Sequence, residues 1–233
     1  MRLITWNCYS RFRDKKDKIE ERHPDILVVP EAEKMDCSRS VCWFDSKASK
    51  ISKGLAVLAY GDYSVEPHPA YREHHKMVVP VIVKGPTAFL LFAVWTIGRS
   101  GEYVIPLMDA FEEYKSLMTE KNVIWAGDFN ANISLDVKYR PKKWSFQEFV
   151  DLMQKHGIES LYHLQHPNTW GQEVDHTYCH HRHANEGFHI DYVFASESLR
   201  RNGCNVEVET HAEWGTTSDH MPVICDFHEN PRN

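Results

Sequence analysis

Short apolar runs recur along the chain, and most of them end in a polar residue. Runs of four to eight apolar residues bounded by Gly, Pro or charged residues are typical of buried strands. They predict strands at residues 2–7, 25–29, 54–59, 78–83, 89–95, 123–130, 189–194 and 222–227. Between residues 54 and 95, turn-forming Gly, Pro and charged residues separate the runs, which predicts hairpins or a meander.

Helical spacing of apolar residues appears between the later strands. Residues 106–120 form one predicted helix, and it leads directly into the strand at 123–130. Residues 145–156 form another, with Ser145 as the N-cap, Glu148 in the capping-box position and Gly157 as the C-cap. After the basic stretch at residues 11–18, residues 19–22 complete a short predicted helix, which is stopped by His23 and Pro24. Strands alternating with helices in this way predict an α/β fold.

The run at residues 123–130 reads VIWAGDFN. If strand geometry persists to its end, alternation places Asp128 and Asn130 on the same side and turns Phe129 into the core. Polar groups at the C-terminal end of a buried strand lie where α/β proteins usually hold their sites. The alternative is a strand that merely ends in an Asp/Asn turn.

Polar residues also stand inside other predicted strands or directly before or after them. Glu31 follows the strand at 25–29, Asp191 lies inside an otherwise apolar strand, and Asp219 and His220 precede the last strand. A carboxylate inside an apolar strand is buried and needs a partner. The alternatives are a solvated loop carboxylate for Glu31 and a structural histidine for His220.

Composition limits the class of protein. The chain has 233 residues, of which 42% are hydrophobic and 26% charged, with no internal repeat or linker, so we expect a single domain over 1–233. The longest apolar run, residues 88–95, is too short to span a bilayer, and the chain opens without the pattern of a secretory signal. Six scattered cysteines without a CxxC pair predict reduced thiols and a cytoplasmic protein. The net charge of −6 means that any nucleic-acid contact must use local basic patches.

Five short motifs stand in one order: WN, PE, GDFN, IDYVF and SDHMPV, each at a strand end, from Trp6 to Val223. In this order they resemble the endonuclease/exonuclease/phosphatase family, which has the DNase I-like fold. The resemblance spans nearly the whole chain. It implies an α/β protein built as a four-layer α/β/β/α sandwich, in which two packed mixed sheets are flanked by helices. It also implies metal-assisted hydrolysis of phosphate esters.

The resemblance assigns roles to the residues of these motifs. Glu31 is the expected primary ligand of Mg²⁺ (Mn²⁺ can substitute), with Asn7 beside it and Asp219 as a further contributor. These hard oxygen donors suit Mg²⁺, which keeps several waters and takes only one or two protein carboxylates. The catalytic residues expected from the resemblance are Asp128, which deprotonates the attacking water, Asn130, which holds a phosphate oxygen or that water, and the pair of Asp191 with a cationic His220, which stabilises charge on the phosphoryl oxygens.

The chain departs from the family pattern in two places. Trp95 and Thr96 stand where many members carry a histidine, and Trp95 is expected to fill core rather than stack on a base. Tyr9 stands where the family's AP endonucleases place an acidic residue. The metal and transition-state residues are therefore intact, while the phosphate contacts of the adjacent loops must differ.

Basic residues beside these motifs are the expected substrate contacts. The first basic stretch, residues 11–18, also contains Lys15 and Lys16. A second basic segment at residues 138–144 is predicted to be a loop, and its Trp144 offers a stacking surface for single strands. His189 stands where many members have arginine. The expected substrate-binding residues are Arg11, Arg13, Arg140, Lys142, Lys143, Trp144 and His189. The alternative for the charge runs is a solvated face.

The sequence therefore predicts a Mg²⁺-dependent nuclease that hydrolyses DNA, with RNA left open as the alternative nucleic acid, and that has no membrane partner. A phosphomonoesterase or a small-molecule or lipid phosphodiesterase of the same family is the alternative enzyme, and a silent binding module is the alternative outside enzymes. The crowded segment from His176 to His183 could bind Zn²⁺, but it shows no ordered ligand pairs, and a solvated substrate loop is the preferred interpretation. Oligomeric state, endo- or exonucleolytic cleavage, damage specificity and metal number are not encoded in any of these patterns.

Overall fold

The computed structural model describes residues 1–47, 53–73, 77–184 and 186–228. Fourteen strands are described within these ranges: β1 Arg2–Thr5, β2 Ile26–Glu33, β3 Val41–Asp45, β4 Lys53–Ala59, β5 Ser64–Pro67, β6 Val78–Lys84, β7 Phe89–Trp95, β8 Val123–Asp128, β9 Ile158–Ser160, β10 Tyr178–Cys179, β11 Gly187–Phe188, β12 Asp191–Ser196, β13 Cys204–Val208 and β14 Val223–Phe227. The α-helices are α1 Lys16–Glu20, α2 Val104–Glu113, α3 Ile133–Tyr139, α4 Phe146–Lys155, α5 Leu161–Gln165, α6 Glu197–Arg200 and α7 His211–Trp214. Three short 3₁₀ turns lie at Phe12–Asp14, Lys115–Thr119 and His180–Arg182.

Two six-stranded sheets form the centre of the fold. The first has the order β13-β14-β1-β2-β4-β3 and the second the order β5-β6-β7-β8-β12-β9. Each sheet is mixed, because β1 pairs with β2 and β7 with β8 in parallel, while the other neighbours are antiparallel. A two-stranded ribbon, β10-β11, stands apart from both sheets.

The alternation of side chains along the strands divides the core into three layers. In β8, Ile124 and Ala126 face the first sheet and belong to the core between the sheets. Val123 and Trp125 face the other way and pack under α2 and α4. On the far side, Ile4 and Leu27 pack with residues of α1 and α7. The predicted four-layer α/β/β/α sandwich is therefore confirmed.

The helix at Phe146–Lys155 is predicted well because its signals are local. The Ser145 hydroxyl accepts from the Glu148 N–H, and the Glu148 carboxylate accepts in return from the Ser145 N–H. Gly157 follows with φ +70°, as a left-handed residue after the helix. The other helices differ from expectation in extent: α1 ends at Glu20 rather than Arg22, and the predicted helix at 106–120 is α2 followed by a 3₁₀ turn at Lys115–Thr119.

The region from residue 54 to 95 is not one meander. Strand β4 pairs with β2 and β3 in the first sheet, whereas β6 and β7 form a hairpin in the second. The sequence patterns also miss all four edge strands of the two six-stranded sheets described, β3, β5, β9 and β13. In β5, β9 and β13 polar residues interrupt the apolar ones, whereas β3 contains an apolar run at residues 41–44 that was not assigned to a strand. Part of the predicted basic loop at 138–144 is helical, because α3 extends to Tyr139.

Candidate active site

Two carboxylates meet where the second sheet ends. Strand β8 ends at Asp128 and the antiparallel strand β12 begins at Asp191, and these two residues are direct partners in the register. Their side chains are 1% and 0% exposed. Two buried carboxylates on neighbouring strands repel each other and need positive charge or donors nearby.

Gly127 allows β8 to lie close to its other neighbour in the sheet, β7. Its φ is +146°, and a Cβ at this position would lie 1.9 Å from the carbonyl oxygen of Val94 on β7. Only a residue without a Cβ fits this contact. The backbone geometry at residue 127 therefore requires glycine, whatever the chemistry of the site.

The predicted geometry of Asp128 and Asn130 is corrected in one respect. The strand stops at Asp128, and Asn130 has a left-handed backbone with φ +48°. Strand alternation therefore does not bring them together, but a tight turn does. The Asn130 N–H donates to Asp128 Oδ1 and its side-chain Nδ2 to Asp128 Oδ2, both at 2.9 Å.

His220 supplies the positive charge that the carboxylates need. Its Nδ1 lies 2.8 Å from Asp191 Oδ2, and its Nε2 lies 4.0 Å from Asp128 Oδ2. Burial alone lowers the pKa of His220, but the charges of Asp191 and Asp128 outweigh it and raise the pKa to about 10. His220 is therefore a cation at neutral pH, held between two carboxylates.

The pKa of Asp128 is also raised, which in a carboxyl group favours the neutral form. Burial raises the pKa of its carboxyl group, the charge of Asp191 raises it further, and the value reaches about 7. His220, the Asn7 side chain and the Asn130 N–H counteract part of this shift. A carboxylate whose pKa lies near neutrality is suited to accept a proton during a reaction.

Three side chains, of Trp6, Ser218 and Thr177, fix the positions of His220 and Asp191. The Trp6 indole donates to the His220 carbonyl oxygen at 3.1 Å, and the Ser218 hydroxyl accepts from the His220 N–H at 3.1 Å. The Thr177 hydroxyl accepts from the backbone N–H groups of Ile190 and Asp191, both at 2.9 Å. The reactive side chains are thus carried by a buried hydrogen-bonded frame.

Asn7 connects Glu31 to this group of side chains by hydrogen bonds. The Asn7 Nδ2 donates to Asp128 Oδ2 at 2.9 Å and to Glu31 Oε1 at 3.3 Å. The predicted strand at residues 25–29 is too short, because β2 runs on to Glu33 with a bulge between Pro30 and Ala32. Glu31 is the bulged residue, with φ +62°, and the bulge turns its carboxylate toward Asn7.

The oxygen donors around Asn7 fit a hard divalent cation. Glu31 Oε2 accepts from Lys53 Nζ at 2.7 Å, so a positive charge already balances this carboxylate. A Mg²⁺ ion takes such carboxylate and carboxamide oxygens and fills the remaining positions with water. Glu31 and Asn7 would hold it. Asp219 is half-buried, and its charge acts on His220 and on Lys15.

A second grouping of ligand types consists of Asp128, Asp191 and His220. One ligand atom from each lies within 4.8 Å of the others, and it is the only such group of three among the described residues. Carboxylates and imidazole can hold a metal ion. A protonated His220 has no free lone pair, so its raised pKa favours the pair with Asp191 over metal coordination here.

His189 does not reach the surface, which corrects the prediction that it contacts the substrate. Its side chain is 1% exposed, its ring lies 4.2 Å from the Tyr162 ring, and its Nδ1 lies 2.8 Å from the Asp175 carbonyl oxygen. Burial lowers its pKa to about 4, so the ring is neutral and offers no charge to a phosphate. The buried position of His189 next to an apolar strand indicates a packing role rather than a substrate contact.

The first basic stretch is partly engaged within the protein. Arg11 forms an exposed ion pair with Asp14, with 2.6 Å between Nη2 and Oδ2. The Arg13 guanidinium donates to the Lys34 carbonyl oxygen. Such exposed pairs are weak and are readily exchanged for contacts with a polyanion. Both residues therefore stay candidates for substrate binding.

The second basic segment, residues 138–144, lines part of a pocket that lies next to the active site. This pocket opens beside Asn130 and is lined on its other sides by aromatic residues of three segments, Tyr103, Tyr139 and Trp144. Lys142 pairs with Glu102 and Lys143 with Asp109 at the surface. Arg140 is exposed at the end of α3, and Trp144 is half-buried against the helix layer.

The crowded His176–His183 segment forms no group of three metal ligands within the part of the chain that the structure describes. The Tyr178 hydroxyl contacts His180 Nδ1 at 3.1 Å, and the Tyr178 ring lies 4.9 Å from the His220 ring. Tyr178, Arg182 and Lys53 belong to the site region and were missed. Each comes from a loop or a strand start, where no periodic pattern marks a residue. Trp95, as expected, is 8% exposed and part of the core.

Comparison with known proteins gives one family and one fold. The chain matches the model of the Endonuclease/Exonuclease/phosphatase family over residues 4–220. No curated protein sequence matches the chain. Three solved structures that resemble it are nucleases by name. An AP endonuclease from Archaeoglobus fulgidus is 18% identical with a TM-score of 0.70, over 98% of this chain and 100% of that one.

The other two structures are similarly distant in sequence. The 3′-5′ exonuclease NExo from Neisseria meningitidis is 17% identical, with a TM-score of 0.66 over 98% of this chain and 100% of that one. The endonuclease domain of TRAS1, a telomere-specific non-LTR retrotransposon, is 17% identical, with a TM-score of 0.65 over 97% of each chain. At these identities the likeness is one of fold.

Proposed function

The chain belongs to the endonuclease/exonuclease/phosphatase family, and we propose that within it this protein is a Mg²⁺-dependent nuclease that hydrolyses DNA rather than RNA. The family assignment confirms the predicted class, a phosphoric ester hydrolase. The observation that carries the proposal is the buried group of Asp128, Asp191 and a cationic His220 beside Asn7 and Glu31. Hydrolysis of a phosphodiester needs a base for the water and positive charge for the phosphoryl oxygens, and this group supplies both.

Asp128 is the proposed base. Its Oδ1 and Oδ2 are held by Asn130 and Asn7, so the carboxylate keeps one orientation without moving during the reaction. It takes a proton from the attacking water. Asn130 lies at the pocket beside Asp128 and is placed to orient that water or a phosphate oxygen.

His220 is the proposed donor to the phosphoryl oxygens. Asp191 accepts from Nδ1 and leaves Nε2, with its proton, on the side of Asp128. Fixed donors of this kind stabilise the charge that develops on phosphoryl oxygens. Asp191 therefore acts through His220, as a positioning residue.

The members of this family generally depend on a divalent metal, and we propose Mg²⁺ at Glu31 and Asn7, with Asp219 contributing. A bound Mg²⁺ supplies a Lewis acid that neutralises charge on the phosphate. The proposed substrate contacts are the basic residues of the two loops and Trp144. Arg11, Arg13, Arg140, Lys142 and Lys143 are the cations in question.

We also propose that the protein is a single domain over residues 1–233 and that it is cytoplasmic. All six cysteines are free thiols, which supports a cytoplasmic location. Among the described helices, none has the length and apolar character needed to cross a bilayer. One structure with the same fold, NExo from Neisseria, is named a 3′ phosphatase bound to a product DNA hairpin, which supports DNA as the substrate class.

The test is a panel of labelled single- and double-stranded DNA and RNA, incubated with Mg²⁺ or Mn²⁺, with a phosphomonoester run in parallel. Metal-dependent strand cleavage, faster on DNA than on RNA, is the expected result, and product lengths separate endo- from exonucleolytic cleavage. Release of phosphate from the monoester alone would keep the family and overturn the nuclease proposal.

The pH dependence of kcat/KM is expected to be bell-shaped. Asp128, with its pKa raised to about 7, holds its proton at lower pH and cannot accept one, so activity rises as pH increases through 7. His220 loses its proton near pH 10, so activity falls above that value. Bound Mg²⁺ lowers the pKa of a neighbouring carboxyl group, so the acidic limb lies at or below 7. Initial rates between pH 5 and 10.5 check this, and a flat profile would contradict it.

Glu31→Gln is expected to weaken metal binding. The amide keeps the size and one oxygen but removes the negative charge, so the Mg²⁺ concentration for half-maximal activity rises by about tenfold or more. A Mg²⁺ titration of hydrolysis measures this. Glu33→Gln is the matched control, because the Glu33 carboxylate accepts from the N–H groups of Phe12 and Arg13 instead. An unchanged Mg²⁺ requirement in Glu31→Gln would exclude Glu31 as a ligand.

A further inference from the structure

A strained turn carries an exposed aromatic ring to the edge of the active site. Tyr9, Ser10 and Arg11 all have a left-handed backbone, with φ of 51°, 65° and 56°. Consecutive non-glycine residues in this region are costly and tend to occur at functional sites. The Tyr9 N–H donates to Asn7 Oδ1 at 3.0 Å, which ties the turn to the candidate metal ligand.

The Tyr9 ring has two cations over it, from distant parts of the chain. The Arg182 guanidinium carbon lies 5.3 Å from the ring centroid and Lys53 Nζ lies 5.8 Å from it. Both distances are within the range of a cation–π contact. Tyr9 itself is 49% exposed, so the contact lies at the surface of the site. The ring thereby holds Arg182 at this edge.

Of the two cations at the Tyr9 ring, Arg182 is the one whose charge no carboxylate balances among the described residues. One nitrogen, Nη1, donates to the Thr216 carbonyl oxygen at 3.2 Å. No carboxylate lies within ion-pair distance of it among residues 1–47, 53–73, 77–184 and 186–228. Lys53 differs, because it is paired with Glu31. An exposed guanidinium with free N–H groups is the side chain best suited to a phosphate.

Lys15 lies in the same positive field. Its Nζ donates to the Cys8 carbonyl oxygen, one residue before Tyr9. Burial lowers its pKa, and the charges of Arg182 and Arg11 lower it further, whereas Cys8 and Asp219 act in the opposite direction. The charges of Lys15 and Arg182 therefore act on the same side of the site and would reinforce each other toward an anion.

We propose that Arg182, held by the Tyr9 ring and with Lys15 beside it, forms a second phosphate subsite that contacts the phosphate next to the scissile one. This rests on the proposed nuclease function. It narrows the substrate to a strand with at least two consecutive phosphates, since a lone phosphodiester leaves the subsite empty. The loop that carries Arg182 is then a substrate-contacting loop.

Two substrates separate the subsite from the reacting centre. Bis(p-nitrophenyl) phosphate has one phosphodiester and no neighbouring phosphate, whereas an oligothymidylate has a phosphate at every step. Arg182→Ala is expected to lower kcat/KM about tenfold or more on the oligonucleotide and less than about twofold on the small diester. Equal losses on both substrates would place Arg182 at the scissile phosphate and overturn the proposal.

Binding without cleavage gives an independent readout. In EDTA, the dissociation constant of a labelled oligothymidylate is measured against salt concentration by fluorescence anisotropy. Loss of one phosphate contact reduces the slope of log Kd against log salt by about 0.7 for a single strand. We expect this reduction in Arg182→Ala and in Tyr9→Ala, and the wild-type slope in Tyr9→Phe, which keeps the ring. An unchanged slope in Arg182→Ala would overturn the subsite.

Arg201→Ala is the matched control. Arg201 is exposed and follows α6, beyond the end of β12 that is opposite to Asp191. Its removal is expected to change neither readout. If wild type cleaves no polymer, the nuclease proposal fails, while the salt dependence of binding still decides whether the subsite exists.

Discussion

Asp128→Asn is expected to lower kcat for strand cleavage at least about a thousandfold, within the range that a lost general base produces. The carboxylate is buried among the donors of Asn7 and Asn130 and lies 4.0 Å from His220 Nε2. The amide has the same shape but cannot take a proton from water. The initial rate at saturating Mg²⁺ and at pH 8 is the measurement.

The loss is chemical rather than structural if the variant keeps the fold. Asp25→Asn is the matched control, because Asp25 is half-buried at the opposite end of the first sheet, where it accepts from the Arg2 N–H. We expect this control to keep wild-type activity. Both variants are to show the wild-type circular dichroism spectrum. More than about a tenth of wild-type activity in Asp128→Asn would exclude Asp128 as the base.

The residues at strand ends could be predicted from the sequence because short-range patterns define them. The apolar run before Gly127 marks a buried strand, and Asp128 is the next residue. Asp191 likewise stands in an apolar run whose alternation requires burial. The motif order then supplied their family, which periodicity alone could not.

Elements whose position depends on the whole fold could not be predicted in this way. The bulge at Glu31 arises from pairing between β2 and β4, and a single strand sequence does not reveal its partner's register. Lys53 and Arg182 meet Tyr9 only after the chain has folded, so no spacing connects them. His189 was misplaced for the same reason. It was expected to contact the substrate because many family members have arginine at this position, whereas Tyr162 and Asp175 cover it.

Asp191→Asn is expected to move the whole pH profile toward acid. Asp191 raises the pKa of His220 and also raises that of Asp128, so its charge acts on both limbs in the same direction. The amide oxygen can still accept from His220 Nδ1, which keeps the ring in place. Without the charge, the pKa of His220 falls toward its ordinary value of about 6.5.

The size of the effect follows from the fraction of His220 that keeps its proton. With a pKa of about 6.5, only about 1% of the imidazole is cationic at pH 8.5, so activity there is expected to fall about a hundredfold. The loss becomes smaller as pH decreases toward 6, because the imidazole regains its proton while the pKa of Asp128 has also fallen. Profiles of kcat/KM for both proteins test this. A uniform loss with both limbs unmoved would mean that Asp191 supports the fold only, since a structural defect does not shift two titrations in the same direction.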